Sequence, residues 1–198
     1  MGSRTLDRVR RDLQEPDTLH SLRDIQRNPD LLPDRGGIYA WYFDRDLRGV
    51  PKRGCHGITR RKLLYVGISP SRANSSGTLR SRVRYHFTGN ASGSTLRTTL
   101  ACLKETCLGE GLRRYGPRGT IRLSRAGETK LTDWMTTHAR VCWTVHPRPW
   151  ELEKALIHSV FLPLNLQHNE SHPFHPELTR IRRKAIERAR RRPVLQRR

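Results

Sequence analysis

Gly37-Ile38-Tyr39-Ala40-Trp41-Tyr42-Phe43 and Lys62-Leu63-Leu64-Tyr65-Val66-Gly67-Ile68 are the two apolar runs around which the sequence is organised. Both are short, continuous and rich in β-branched or aromatic residues, the pattern of strands packed into a core. Each joins a tyrosine to a glycine, as Gly37-Ile38-Tyr39 in one and Tyr65-Val66-Gly67 in the other. A glycine inside a strand lets another backbone or a ligand come close. A third strand is expected over 140–146, where Val141, Trp143 and Val145 share one face, and a weak one over 120–123.

Helices are expected around these strands. Two short ones precede the first strand, over 6–14 and 18–27, the second capped by Asp17 or Thr18. Thr78 caps a helix reaching Phe87, and Ser94 caps the next, with Leu96, Leu100, Leu103 and Leu108 as its apolar stripe. Further helices are expected over 129–138, over 150–161 with Pro149 in the first turn, and over 177–192. The implied fold class is α+β: a small three-stranded antiparallel sheet flanked by helices, with extra N- and C-terminal helices. The expected division is an N-terminal helical extension (1–33), a central domain (34–170) with insertions at 44–61 and 88–127, and a basic C-terminal helix or arm (171–198).

The 198 residues carry 39 Lys+Arg against 18 Asp+Glu, a formal net charge of +21. Such a field concentrates polyanions, and a protein that neutralises phosphates gains from released counterions. The preference for Arg over Lys is what a GC-rich genome produces, but codon bias exchanges one base for another and does not double bases over acids. Nucleic acid is therefore the expected partner. A membrane is not: no window approaches the ~20 apolar residues of a span, and no basic stretch has a clean apolar face opposite it. Hydrophobic residues make up 34%, below the ~45% of an ordinary globular chain yet enough for a core. The charged N-terminus shows no secretory signal. Cys55, Cys102, Cys107 and Cys142 lack metal-ligand spacing and read as buried thiols of a reducing compartment. A cytoplasmic protein, associated with the nucleoid when bound to DNA, is expected.

Residues with chemistry cluster after the second strand. In Leu79-Arg80-Ser81-Arg82-Val83-Arg84-Tyr85-His86-Phe87, Arg82 and His86 are four apart and share a helical face. Glu153 opens a later helix, and Pro163-Leu164-Asn165 follows it. With these positions the chain resembles the GIY-YIG nuclease superfamily, whose pattern is a GIY strand, a YIG or YVG strand, a helical Arg with a His or Tyr one turn later, a helical Glu and a trailing Asn. Those positions read here as Tyr39, Tyr65, Arg82, His86, Glu153 and Asn165. The Leu-x-x-Arg-Val-x-x-His-Phe stretch looks like the helix of phage intron homing endonucleases. Glu-x-x-Leu-Ile with the following Pro and Asn looks like the incision subunit of bacterial nucleotide-excision repair. The resemblance runs from Gly37 to Asn165. The gap from Ala40 to Leu64 is longer than in compact members; its Arg45, Arg48, Lys52, Arg53, Arg60 and Arg61 are expected to extend a DNA-contacting surface. The stretch from Gly89 to Gly127 is also long, but neither departure removes a catalytic position.

The resemblance implies an endonuclease that hydrolyses phosphodiester bonds in DNA with one Mg²⁺ or Mn²⁺ held by Glu153, the only carboxylate of the set. Arg82, planar and permanently charged, suits the scissile phosphate. Tyr39 orients or deprotonates water, its high pKa (~10) lowered by cations, with His86 accepting the phenolic proton. Tyr65 holds water or phosphate, and Asn165 fixes geometry. Nucleic-acid contacts are expected from Arg84, Arg97, Arg180, Arg183 and Lys184. The rival readings are a basic nucleic-acid binding module with an inactive nuclease fold, against which intact Tyr39, Arg82 and Glu153 argue, and an RNA-directed nuclease or toxin. A small free-standing nuclease suits bacterial defence or a mobile element, and no residue speaks for or against a homo-oligomer. His168, Glu170, His172 and His175 have no zinc-site spacing and are expected to pack the loop that positions the last helix.

Overall fold

The computed structural model describes residues 3–47 and 49–195, so Arg48 of the 44–61 insertion lies outside the described residues. The chain forms α1 (Ser3–Gln14), α2 (Leu22–Arg27), β1 (Gly37–Phe43), β2 (Gly57–Ile58), β3 (Arg61–Ser69), α3 (Leu79–Thr88), α4 (Thr95–Leu103), α5 (Glu105–Leu108), β4 (Arg113–Tyr115), β5 (Thr120–Arg122), α6 (Arg125–His138), β6 (Ala139–Val145), α7 (Glu153–Ser159) and α8 (His175–Arg191). The main sheet has strand order β2-β3-β1-β6 with every pairing antiparallel.

Strand β1 lies between β3 and β6, and all seven of its residues are buried. Its alternation divides two cores. Tyr39, Trp41 and Phe43 join the larger one with Val83 and Phe87 of α3, Leu96 and Leu100 of α4, and Met135 of α6. Ile38, Ala40 and Tyr42 face Val9 and Leu13 of α1 and Leu156 and Ile157 of α7. A strand covered on both faces has no use for polar alternation, which explains the unbroken apolar run.

The sheet has four strands, one more than expected. Gly57 and Ile58 pair with Lys62 and Arg61 at its edge, and two residues are too few to show a period. A second, two-stranded sheet joins β4 to β5 across the Gly116–Gly119 turn. The second helix is capped by Ser21, whose hydroxyl accepts from the Asp24 amide, rather than by Asp17 or Thr18. Helix α7 is shorter than expected. Pro149–Glu151 forms a tight 3-10 turn before it, and Val160 is already extended.

Helix α8 buries Leu178, Ala185 and Ala189 in the larger core, with Ile181 and Ile186 packed beside them. Their spacing follows one face of a helix. It leaves Arg180, Arg183, Lys184, Arg188, Arg190 and Arg191 exposed. Cys55, Cys102 and Cys142 are buried free thiols; Cys107 is exposed instead, on the outer side of short α5. Among the described residues no helix is long and apolar enough to cross a membrane.

Candidate active site

Tyr39 and Gly67 are opposite one another in the β1–β3 pairing, and Trp41 faces Tyr65 two positions along. A Cβ at position 67 would lie 2.5 Å from Tyr39 Oη, so the glycine is the space through which the Tyr39 ring passes. Gly37 is packed as tightly, against the Thr144 carbonyl and Leu79. The two glycines let α3 and the tyrosine ring settle onto the sheet.

Helix α3 begins with a capping box between Thr78 and Ser81, which fixes its start. It directs His86 inward and Arg82, one turn earlier, to the rim. His86 is fully buried. Its Nε2 lies 2.7 Å from Tyr39 Oη and its Nδ1 2.7 Å from Ser94 Oγ. Burial and the flanking charges of Arg82 and Arg97 hold its pKa well below the ordinary histidine value. Burial pushes the Tyr39 phenol up to about 12, and the charge and hydrogen-bonding reach of Arg82 pull against that rise. Arg82 is anchored by donating from Nη1 to the Gly93 carbonyl at 3.0 Å. The Tyr65 ring meets His86 edge-on with centroids 6.1 Å apart, and burial raises its phenol further still.

Glu153 stands at the first turn of α7, half-buried, and its charge is felt by both Tyr39 and Tyr65. Desolvation raises its pKa, partly offset by His168. That histidine lies in a loop with left-handed backbone, φ +60°. Glu153 has neither an ion pair nor a hydrogen-bond partner among the described residues. No group of three or more potential metal-ligating side chains occurs among them either. Asn165 has a different task. Its Oδ1 accepts from Val66 N at 3.0 Å and its Nδ2 donates to Val66 O at 2.8 Å, while Leu164 N donates to Leu64 O at 3.0 Å. The loop after α7 thus covers the outer edge of β3 as a further strand would, with both ends of the Asn165 carboxamide bonded to the Val66 backbone.

Of the residues expected to act together, Tyr39, Tyr65, Arg82, His86 and Glu153 converge, and Asn165, in the loop after α7, is bonded to Val66 at the outer edge of β3. Arg97, expected on the nucleic-acid surface, is fully buried. Its guanidinium pairs with Glu128 at 2.7 Å and donates to the carbonyls of His86 and Phe87 at the end of α3. A buried charge is held only where it is paired and hydrogen-bonded, and this one ties α3, α4 and α6 together. Arg84 is half-exposed on α3. Arg180 and Arg183 are exposed but engaged with Glu177 and Glu187 of their own helix, and Lys184 is exposed without an ion pair among the described residues. His172 packs its ring on Phe161, centroids 4.1 Å apart, and accepts from Phe174 N at the start of α8. Sequence reasoning missed Ser94 as a partner of His86. Its signal is a serine eight residues after the histidine at a helix start, a position that reads on its own as a cap and nothing more.

The family model of the GIY-YIG catalytic domain matches residues 37–184, running past Asn165 into α8. No curated protein and no solved structure matches the chain. The match spans both tyrosine motifs, α3, Glu153 and Asn165, and the chain belongs to the GIY-YIG catalytic domain family, a nuclease family.

Proposed function

We propose that the protein is a divalent-metal-dependent endonuclease that hydrolyses phosphodiester bonds in DNA. The observation that supports this most is a buried phenol, Tyr39, hydrogen-bonded to a histidine whose pKa burial holds well below its ordinary value, and subject to the charges of Arg82 and Glu153. A half-desolvated carboxylate with no ion pair or hydrogen bond among the described residues suits Mg²⁺ or Mn²⁺. Mg²⁺ is commonly held by one or two carboxylates, with waters and substrate phosphate completing its octahedron. Bound at Glu153, the ion supplies Lewis-acid stabilisation of charge on the phosphate and leaving oxygens.

The chain's own residues account for the rest. Arg82, fixed by Gly93, holds a non-bridging phosphate oxygen and stabilises the charge gathering there in the transition state. Tyr39, in its ionised phenolate form, takes a proton from the attacking water and becomes the phenol. The water oxygen bonds to phosphorus, the bond to the leaving oxygen breaks, and that oxygen takes up a proton from solvent. Tyr65 orients the water or phosphate by its hydroxyl. A groove of about 430 Å³ beside Arg82, lined by Ser69, Ser71, Ser75, Ser81 and Tyr85, offers hydroxyls to the adjoining strand. Arg84, Arg180, Arg183 and Lys184 contribute phosphate contacts, which position a nucleic acid without reading its sequence. We add the β4–β5 hairpin to that surface. Its Arg113, Arg114, Arg118 and Arg122 form no ion pair among the described residues, and β5 packs on the 91–93 turn that anchors Arg82.

The test is cleavage of labelled single- and double-stranded DNA and RNA with Mg²⁺, beside Glu153→Ala and Arg82→Ala. Metal-dependent cutting of DNA that both substitutions abolish supports the proposal. Cutting of RNA alone would replace its substrate, and salt-sensitive binding without cutting would replace enzyme by binding module.

A further inference from the structure

We propose that Lys104 forms a phosphate-binding site separate from the catalytic cluster, in a cavity of about 730 Å³ between α6 and the loop after β1. Lys104 links α4 to α5 and is only 7% exposed. Its ammonium makes no ion pair and no hydrogen bond among the described residues; it rests on the Trp134 ring, with Nζ 4.3 Å from the centroid. Lysine is almost never buried unless it is paired. Three N–H donors lining a cavity without an acceptor call for an anion. Burial lowers the Lys104 pKa, the cost of covering an ammonium without a counter-charge, and a bound anion removes that cost.

The charges around the cavity suit an anion rather than a metal ion. Both of its carboxylates are already engaged. Asp44 accepts from His138 Nδ1 at 2.9 Å and pairs with Arg61 at 3.3 Å and Arg60 at 3.6 Å, and Asp46 pairs with Lys52 at 2.6 Å. Left over are Lys104 and, at the rim, exposed Arg45, which forms no ion pair among the described residues. A cleft with one uncompensated sign of charge gathers ions of the other. Nor is the aromatic ring free to stack a base: Trp134 lies nearly parallel to Phe43 with centroids 5.9 Å apart, meets His138 at 5.3 Å and carries Lys104. The group that fits is compact, negatively charged and rich in acceptor oxygens, so that it can reach both the recessed ammonium and Arg45. For a chain of net charge +21 in a nuclease family, that group is phosphate. It is not the scissile one. Tyr39 and Phe43 join the same core from β1 but stand four residues apart, roughly 13 Å along the strand. Lys104 therefore holds another phosphate, within a strand or on a free monoester, whether or not the protein cuts.

The test reads binding, not cleavage. The indole N–H of Trp134, assigned in NMR spectra by comparison with Trp134→Phe, is the reporter. Inorganic phosphate, a short oligothymidylate and the same oligomer with a 5′-phosphate are titrated separately, without Mg²⁺ and at an ionic strength held constant with NaCl. Inorganic phosphate is expected to shift the signal saturably. Lys104→Met is expected to raise the half-saturating concentration about 10- to 100-fold, the weight of a hydrogen bond to a charged group. A response to the unphosphorylated oligomer makes the ligand a strand phosphate, a response only to the phosphorylated one makes it a monoester, and both support the site. No saturable response to any probe, or a half-saturation that Lys104→Met leaves unchanged, overturns it. Lys104→Met keeps an apolar stem over the ring and removes an unpaired charge, so in phosphate-free buffer its Tm is expected to be no lower than that of the wild type. If Tm falls by several degrees and wild-type Trp134 ignores all three probes, Lys104 is a structural clasp on the ring and the proposal fails. Glu153→Ala is expected to leave the Trp134 response intact, so failure here and failure of the nuclease reading are distinguishable.

Discussion

Tyr39 carries conflicting influences: burial raises its pKa to about 12, and Arg82 counters that rise. As the proposed base, Tyr39 must be deprotonated to act, so on this reading only a small fraction of the protein is competent at neutral pH, and that fraction grows as pH rises towards the phenol's pKa. His86 is held below its usual range, so its protonation does not limit the rate near neutrality. The single-turnover rate is therefore expected to climb through pH 6–9 without a histidine limb, and Tyr39→Phe to lower it roughly 10²- to 10⁴-fold, the usual contribution of a general base. A pH–rate profile on both proteins checks this. Tyr39, Arg82 and Glu153 stood out in the sequence as candidates because each falls on a position of the family pattern that the chain resembles. The burial of Arg97 did not. An arginine in the first turn of a serine-capped helix reads as exposed, and its acceptors belong to Glu128 and to the far end of α3, which no local pattern brings together.

Helices α3, α4 and α6 meet at the Arg97–Glu128 pair, and Glu128 also accepts from Ala91 N at 2.8 Å, next to the Gly93 carbonyl that anchors Arg82. Removing one partner leaves the other charge buried and unpaired, so Arg97→Met is expected to cost about 3–5 kcal/mol, measurable by urea unfolding. Replacing Glu128 with Leu at the same time is expected to return part of that loss. The basic face of α8 has a different signature. Arg180→Ala, Arg183→Ala and Lys184→Ala together are expected to weaken DNA binding and to flatten the plot of log K against log salt by about 0.9 for each phosphate no longer neutralised. Cleavage at saturating enzyme should change little. Binding titrations from low to physiological salt measure both. At this level β1, β3 and β6 were legible from their apolar or alternating runs and α3 from its cap and spacing, whereas β4, with two arginines in three residues, was not. Strand β2, two residues held by pairing alone, left no pattern to read.

Across the whole chain, one sheet buried on both faces carries a site at the seam between β1, β3 and α3, with α7 and its trailing loop closing the outer edge of β3. Three histidines, His20, His86 and His172, have pKa values lowered mainly by burial. The unfolded chain therefore binds more protons than the native one below about pH 6.5, and stability falls as pH drops. Glu153, raised by desolvation, acts in the opposite direction, but it is a single half-buried group against three. A net charge of +21 adds self-repulsion that further protonation increases. Tm is expected to fall steadily between pH 7 and pH 5.5, as thermal melts would show.

For the proposed chemistry, Glu153 must be a functional carboxylate rather than a structural one. It accepts no hydrogen bond and forms no ion pair among the described residues, so Glu153→Gln should fold as the wild type does. The decisive measurement is DNA cleavage and DNA retention by this variant in the same Mg²⁺ buffer. Cleavage abolished with retention intact is the predicted result; cleavage preserved, or both abolished together, would contradict it.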